Sequence, residues 1–317
     1  MSHIFDALQR SEAESADTES ARTGASRAPS SSLPLATELL QLAERKVRAA
    51  GAASSTAAGL APVNVASTNI RQDYSNFLDQ FPSLPVSILP SSRLVSVAAE
   101  ESLGAEKFRF LAVRLRQLRQ SRTLKKILIT STIPQEGKST VAANLACTLA
   151  RRKQHKTLLL EGDLRRPAVA EKFGLGRLPG LCDWLSGKTE TINIYRLESL
   201  GLWILPAGTA PENPLELMQS GKLAPLMEQL EAWFDWIVID SPPVLPLADA
   251  SIWSRLADGI LLVTRKGITE KQQLQRGLEA LERSKLLGAL VNSSSNVAHS
   301  DYYQRYSSPP ADQSKVD

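Results

Sequence analysis

ILITSTIPQEGKST, residues Ile127 to Thr140, reads as an apolar strand running directly into a phosphate-binding loop. Gly137-Lys138-Ser139 is the end of that loop where the chemistry sits. Backbone N–H groups and the start of the following helix cradle phosphate, the lysine neutralises it, and the serine hydroxyl reaches Mg²⁺. The general pattern has glycine where this chain has Thr132, so the match is partial there and full at Gly137-Lys138-Ser139. Context supports it: Lys126 to Thr130 precedes the loop, and an alanine-rich helical run from Val141 to Ala150 follows. The plain alternative for this segment alone is an ordinary strand-to-helix turn.

Working outward, strands are expected at 126–131, 157–161, 202–206, 236–240, 259–264 and 287–292. Helices are expected at about 139–153, 214–233, 246–257 and 270–285. Before them, Ala105 to Gln120 reads as a basic helix with Phe108, Leu111, Leu115 and Leu118 along one face. The strands are near-continuous apolar runs, such as Gly259 to Val263, which suits a parallel sheet buried on both faces. Alternation of strands and helices predicts a doubly wound α/β domain with its ligand at the C-terminal strand ends.

Two acidic strand ends fall where such a ligand would bind. LLLEGDLRRP carries Glu161 and Asp163, and WIVIDSPP ends its apolar strand in Asp240. A carboxylate at the latter position binds Mg²⁺ or accepts hydrogen bonds from its water shell beside the loop serine. The bland reading of these acids is a turn or helix cap. Arg165 and Arg166 fit either phosphate-charge stabilisation or a solvated basic turn.

The chain has 317 residues, 43% hydrophobic and 22% charged, with a net charge of +4, enough for one sizeable core plus appendages. No arginine–aromatic interleaving points to nucleic acid. Cys147 and Cys182 are too few for a disulfide framework, and His3, His155 and His299 are scattered. No run approaches a membrane span, and the start lacks a signal-peptide core, so a soluble intracellular protein is expected. Residues 1–95 are expected to be largely disordered, with short amphipathic helices around Ile4, Phe5 and Leu8 and around Leu39, Leu42 and Val47. Residues 96–292 form the expected P-loop domain, and 293–317 a flexible tyrosine-containing tail.

TSTIPQEGKST, LLLEGDLRRP, LPAGTAPENP (Leu205 to Pro214), WIVIDSPPVLPLADA (Trp236 to Ala250) and ADGILLVTRKG (Ala257 to Gly267) occur in this order. The series resembles the bacterial tyrosine kinases of capsular and exopolysaccharide synthesis, the BY-kinases. Their P-loop fold is related to the MinD/ParA ATPases. The resemblance covers about residues 95–306 and includes Tyr302, Tyr303 and Tyr306, which match the family's autophosphorylated C-terminal cluster; Met1 to Glu12 also looks like stand-alone members.

The resemblance implies an ATP- and Mg²⁺-dependent tyrosine autokinase, acting between subunits, that regulates chain polymerisation and export. Its nucleotide site would comprise Thr132, Gln135, Glu136, Gly137, Lys138, Ser139 and Thr140, with Asn292. Lys138 would hold the β- and γ-phosphates, and Ser139, Asp163 and Asp240 would serve the metal. Position 161, usually aspartate and here Glu161, would take the tyrosine proton. The implied partners are a membrane chain-length-determinant adaptor (a polysaccharide co-polymerase), a cognate phosphatase and further copies of the chain. The chain would then lie in the cytoplasm, recruited to the inner face of the plasma membrane. Departures are Gln135 for a common glycine and Ala112 where the oligomerisation helix, begun by Glu106 and Arg109, has arginine. Phosphorylating three tyrosines would add a charge of about −5 to a nearly neutral tail. Other readings are a MinD/ParA-like ATPase switch, against which stands Ile133 in place of that group's second lysine, and a weakly catalytic nucleotide-dependent scaffold.

Overall fold

The apolar run before the phosphate loop forms β1 (Lys126–Ser131) in the computed structural model, which describes residues 78–245 and 248–293. β2 (Thr157–Glu161), β3 (Tyr195–Leu197), β4 (Leu202–Leu205), β5 (Trp236–Asp240), β6 (Gly259–Arg265) and β7 (Leu286–Asn292) join it. They make one seven-stranded sheet in the order β3-β4-β2-β5-β1-β6-β7. Every pairing is parallel except β3 with β4.

Helices α1 (Val95–Ala98), α2 (Leu103–Ser121), α3 (Lys138–Ala150), α4 (Val169–Lys172) and α5 (Leu181–Leu185) come first along the chain. α6 (Pro214–Met218), α7 (Leu223–Trp233), α8 (Asp249–Leu256) and α9 (Lys271–Glu279) follow. Successive strand residues face opposite ways, so the sheet feeds two cores. Ile127 and Ile129 pack with Val141, Leu145 and Leu149 of α3. Leu128 lies in the other cluster, with Leu230 of α7 and Trp253 of α8. This is the doubly wound α/β architecture expected from the continuous apolar runs.

The chain leaves β1 for β2, two places away, and later inserts β5 between them. Ile129, Asp240 and Glu161 stand in register at the C-terminal ends of β1, β5 and β2. That is the crevice in which open α/β sheets bind ligands.

Three expectations need correction. The boundary at residue 95 falls too late, because Leu78 and Leu94 are buried in the core and Leu84 N–H donates to the Arg196 carbonyl at 2.9 Å. The helix expected over 214–233 is two helices, separated by a turn in which Gly221 adopts φ +80°. β3 escaped notice because it is a three-residue edge strand with Arg196 at its centre. The expected helices near residues 4–8 and 35–49 and the tyrosine tail lie outside the described residues.

Candidate functional site

The phosphate loop is shaped from behind by groups that face inward. Gly137 adopts φ +94°, and a Cβ there would stand 2.2 Å from Asn292 Nδ2. Asn292 donates that amide to the Glu136 carbonyl at 2.9 Å and accepts from Ser293 N–H at 2.9 Å, so it buttresses the loop from the end of β7. The Glu136 side chain is fully buried, accepting from Ile133 N–H at 2.8 Å and from the Thr269 hydroxyl. Thr132 is also fully buried, beneath the loop and against Gly277 of α9. Gln135, exposed on the loop, sits at φ +66°, a left-handed conformation that glycine would adopt without strain. Of the residues expected at the nucleotide, Thr132, Glu136 and Asn292 therefore shape the loop. Gly137, Lys138, Ser139 and Thr140 form its junction with α3.

Lys138 Nζ donates to Asp163 Oδ2 at 2.8 Å and lies 3.5 Å from Ser139 Oγ. Burial alone would depress its pKa, but the carboxylates of Asp240 and Asp163 outweigh burial and hold it above the usual lysine range. Asp163 Oδ1 also accepts from Arg166 N–H at 3.1 Å, which folds the basic turn back over the carboxylate.

Asp240 is wholly buried beside the Lys138 ammonium and the Ser139 hydroxyl, and neither of its oxygens makes a well-formed hydrogen bond to the described residues. Burial raises its pKa to about 7, against the opposing pull of the Lys138 ammonium and the Ser139 hydroxyl. An orphaned carboxylate of this kind beside a phosphate-loop serine suits a hydrated divalent cation. No cluster of three or more His, Cys, Asp or Glu among the described residues could hold a metal alone.

Glu161 also has a structural task at the end of β2. Its carboxylate accepts backbone N–H groups from Ala168, Val169 and Ala207. Burial pushes its pKa up, and those three N–H groups pull it back. In this arrangement Glu161 anchors the start of α4 and the chain just after β4, with Oε1 taking two N–H groups and Oε2 one. Arg165 is likewise occupied: its guanidinium grips Asp249 through two hydrogen bonds, of 2.7 and 3.1 Å.

Sequence reasoning missed Lys172. It is partly buried on α4, with no hydrogen bond or ion pair among the described residues, and burial lowers its pKa. Asp240 and Lys138 are among the charges that act on it. No local pattern marks this lysine, because the charges of Asp240 and Lys138 that act on it come from other elements of the fold. Asp249 and Trp253, which hold that loop, carry no local sequence signal of doing so.

On α2, Glu106 pairs with Arg109 at 2.7 Å, and Ala112 is fully buried. Beside them Phe110 is 72% exposed.

No protein-family model matches the chain. It is 37% identical over 212 residues to the tyrosine-protein kinase YwqD of Bacillus subtilis (strain 168), covering 66% of this chain and 89% of that one. To the tyrosine-protein kinase CpsD of Streptococcus agalactiae it is 33% identical over 199 residues, covering 61% and 86%. Among solved structures, the chimerical protein CapA2B2 superposes with a TM-score of 0.60 at 32% identity, covering 71% of this chain and 99% of that one. The kinase domain of the Escherichia coli tyrosine kinase ETK gives 0.57 at 27% identity, covering 64% and 82%. The phosphate loop, the acidic strand ends and these relatives agree: the chain belongs to the bacterial tyrosine-protein kinases associated with capsule and exopolysaccharide synthesis.

Proposed function

We propose that the chain transfers phosphate from Mg·ATP to protein tyrosines, its own Tyr302, Tyr303 and Tyr306 in a neighbouring copy among them. The observation that carries this reading is the buried Asp240 carboxylate beside Lys138 and Ser139 at the start of the phosphate-loop helix, a set of groups suited to a cation and phosphates. Mg·ATP, when bound, supplies the phosphoryl group and neutralises charge on its oxygens. Lys138, now held by Asp163, is the cation for the phosphates, and Ser139 with Asp240 is the seat for the metal. Lys172, which makes no ion pair among the described residues, is a further cation for phosphate charge.

Phosphoryl transfer of this kind depends on positioning and charge more than on a strong base. Anchoring of Glu161 is therefore compatible with activity, and Asp163 is the carboxylate left nearest the phosphate lysine. The proposed organisation is an N-terminal arm, the P-loop domain and the tyrosine tail. None of the described helices is long and apolar enough to cross a membrane. Recruitment to the membrane would come through a separate chain-length-determinant adaptor, with a cognate phosphatase reversing the modification and copies of the chain assembling together.

The test is incubation of purified protein with Mg·ATP and mass-spectrometric mapping, with and without Lys138→Met. Phosphate on Tyr302, Tyr303 and Tyr306 only when Lys138 is present is expected. Undiminished labelling of the Lys138→Met protein would sink the proposal.

A further inference from the structure

Asp163 sits in a loop gripped on either side by one helix. Trp253, fully buried on α8, donates its indole N–H to the Gly162 carbonyl at 2.9 Å. One turn earlier on the same helix, Asp249 takes the Arg165 guanidinium in the two-bond fork. Residues four apart share a helix face, so both grips come from one side of α8. Between them lies Asp163, whose two oxygens take Lys138 Nζ and Arg166 N–H.

Gly162 fits only without a side chain: a Cβ would stand 2.7 Å from Trp253 Cε2 and 2.9 Å from the Asp240 carbonyl. Its own N–H donates to that carbonyl at 2.7 Å. The loop after β2 is thereby tied both to the end of β5 and to the helix that follows β5 in the chain.

We propose that Asp249 and Trp253 are positioning residues that clamp the Gly162–Arg165 loop and set Asp163 in a fixed frame with Lys138 and Asp240. The inference rests on the kinase reading and deepens it. The two α8 side chains bond Arg165 and the Gly162 carbonyl rather than Lys138, Ser139 or the Asp240 carboxylate, so the clamp acts through Asp163. The fork supplies direction as well as attraction, because a planar guanidinium meets a carboxylate in one orientation. The indole adds a second, independent tie that a phenyl ring of similar bulk cannot make. Displacement of a reacting group by about an ångström costs on the order of a hundredfold in rate, which is the scale on which such a clamp matters.

Trp253→Phe removes the indole donor and keeps most of the packing. Arg165→Gln breaks the fork at its more exposed partner, and the double variant combines them. The first readout is amide hydrogen exchange at residues 163–166 in nucleotide-free protein. The second is kcat and KM for tyrosine phosphorylation. Exchange is expected to accelerate in each variant, and kcat to fall about 10- to 100-fold with KM for ATP little changed. The double variant should lose less than the product of the single losses, because both ties hold the same loop.

Unchanged exchange in the folded variants overturns the clamp. Faster exchange with wild-type kcat overturns the positioning role and leaves a merely structural tie. A wild-type protein that transfers no phosphate sinks the kinase reading instead. In that case the variants' Mg²⁺-dependent gain in ATP affinity decides the clamp: a gain that shrinks supports it, and an unchanged gain overturns it.

Discussion

A carboxylate buried in a protein interior is costly in its charged form, and Asp240 shows the consequence. Burial pushes its carboxyl pKa up from an ordinary 3.8 to about 7. A folded-state pKa raised in this way favours folding below the ordinary value, and the contribution is lost as pH rises through about 7. Asp240→Asn has no such titration. In nucleotide-free protein, wild-type stability relative to Asp240→Asn should therefore fall between about pH 4 and pH 7, at roughly 1.4 kcal/mol per pKa unit. Urea denaturation of both proteins across that range checks this, and a difference that stays flat contradicts it.

Chemistry at this scale was partly legible in the sequence. Lys138, Ser139 and Asp240 announce themselves because each ends or follows a local apolar run. Lys172 does not, since its neighbours at the site come from other strands. Glu161 was placed correctly at a strand end, yet its three backbone partners lie seven or more residues away.

Between elements, a buried amide helps fasten the segment before α2 to the phosphate-loop helix. Asn144 on α3 is buried; its Oδ1 accepts from Ser96 N–H at 2.9 Å, and its Nδ2 donates to the Arg93 carbonyl at 3.0 Å and the Thr140 carbonyl at 2.8 Å. Thr148, one turn further, donates to Ser96 Oγ at 3.1 Å. Asn144→Ala leaves the Ser96 N–H and the Arg93 carbonyl without partners, and should cost about 2–4 kcal/mol in urea denaturation. A loss of less than about 0.5 kcal/mol would show that water replaces the clasp.

Most elements were readable because continuous apolar runs specify buried parallel strands whatever their partners. The failures each have a local cause. β3 is too short and too polar at its centre to stand out, and Gly221 breaks a run whose leucines keep helical spacing on both sides. The packing of residues 78–94 depends on contacts more than a hundred residues away, such as the bond from Leu84 to Arg196.

For the whole molecule, sheet order, strand-end acids and relatives converge on one family, while the three tail tyrosines lie beyond the described residues. Between-subunit transfer was suggested by the tail's composition and the family resemblance, and no contact within the described domain bears on it. One mixing experiment addresses it. A chain carrying Tyr302→Phe, Tyr303→Phe and Tyr306→Phe retains the site and lacks the acceptors. The Lys138→Met chain retains the acceptors and lacks the phosphate lysine. Mixed with Mg·ATP, the pair should place phosphate on Tyr302, Tyr303 or Tyr306 of the Lys138→Met chain, which stays bare when incubated alone. Bare tyrosines in the mixture, alongside a wild-type chain that labels itself, would contradict transfer between copies.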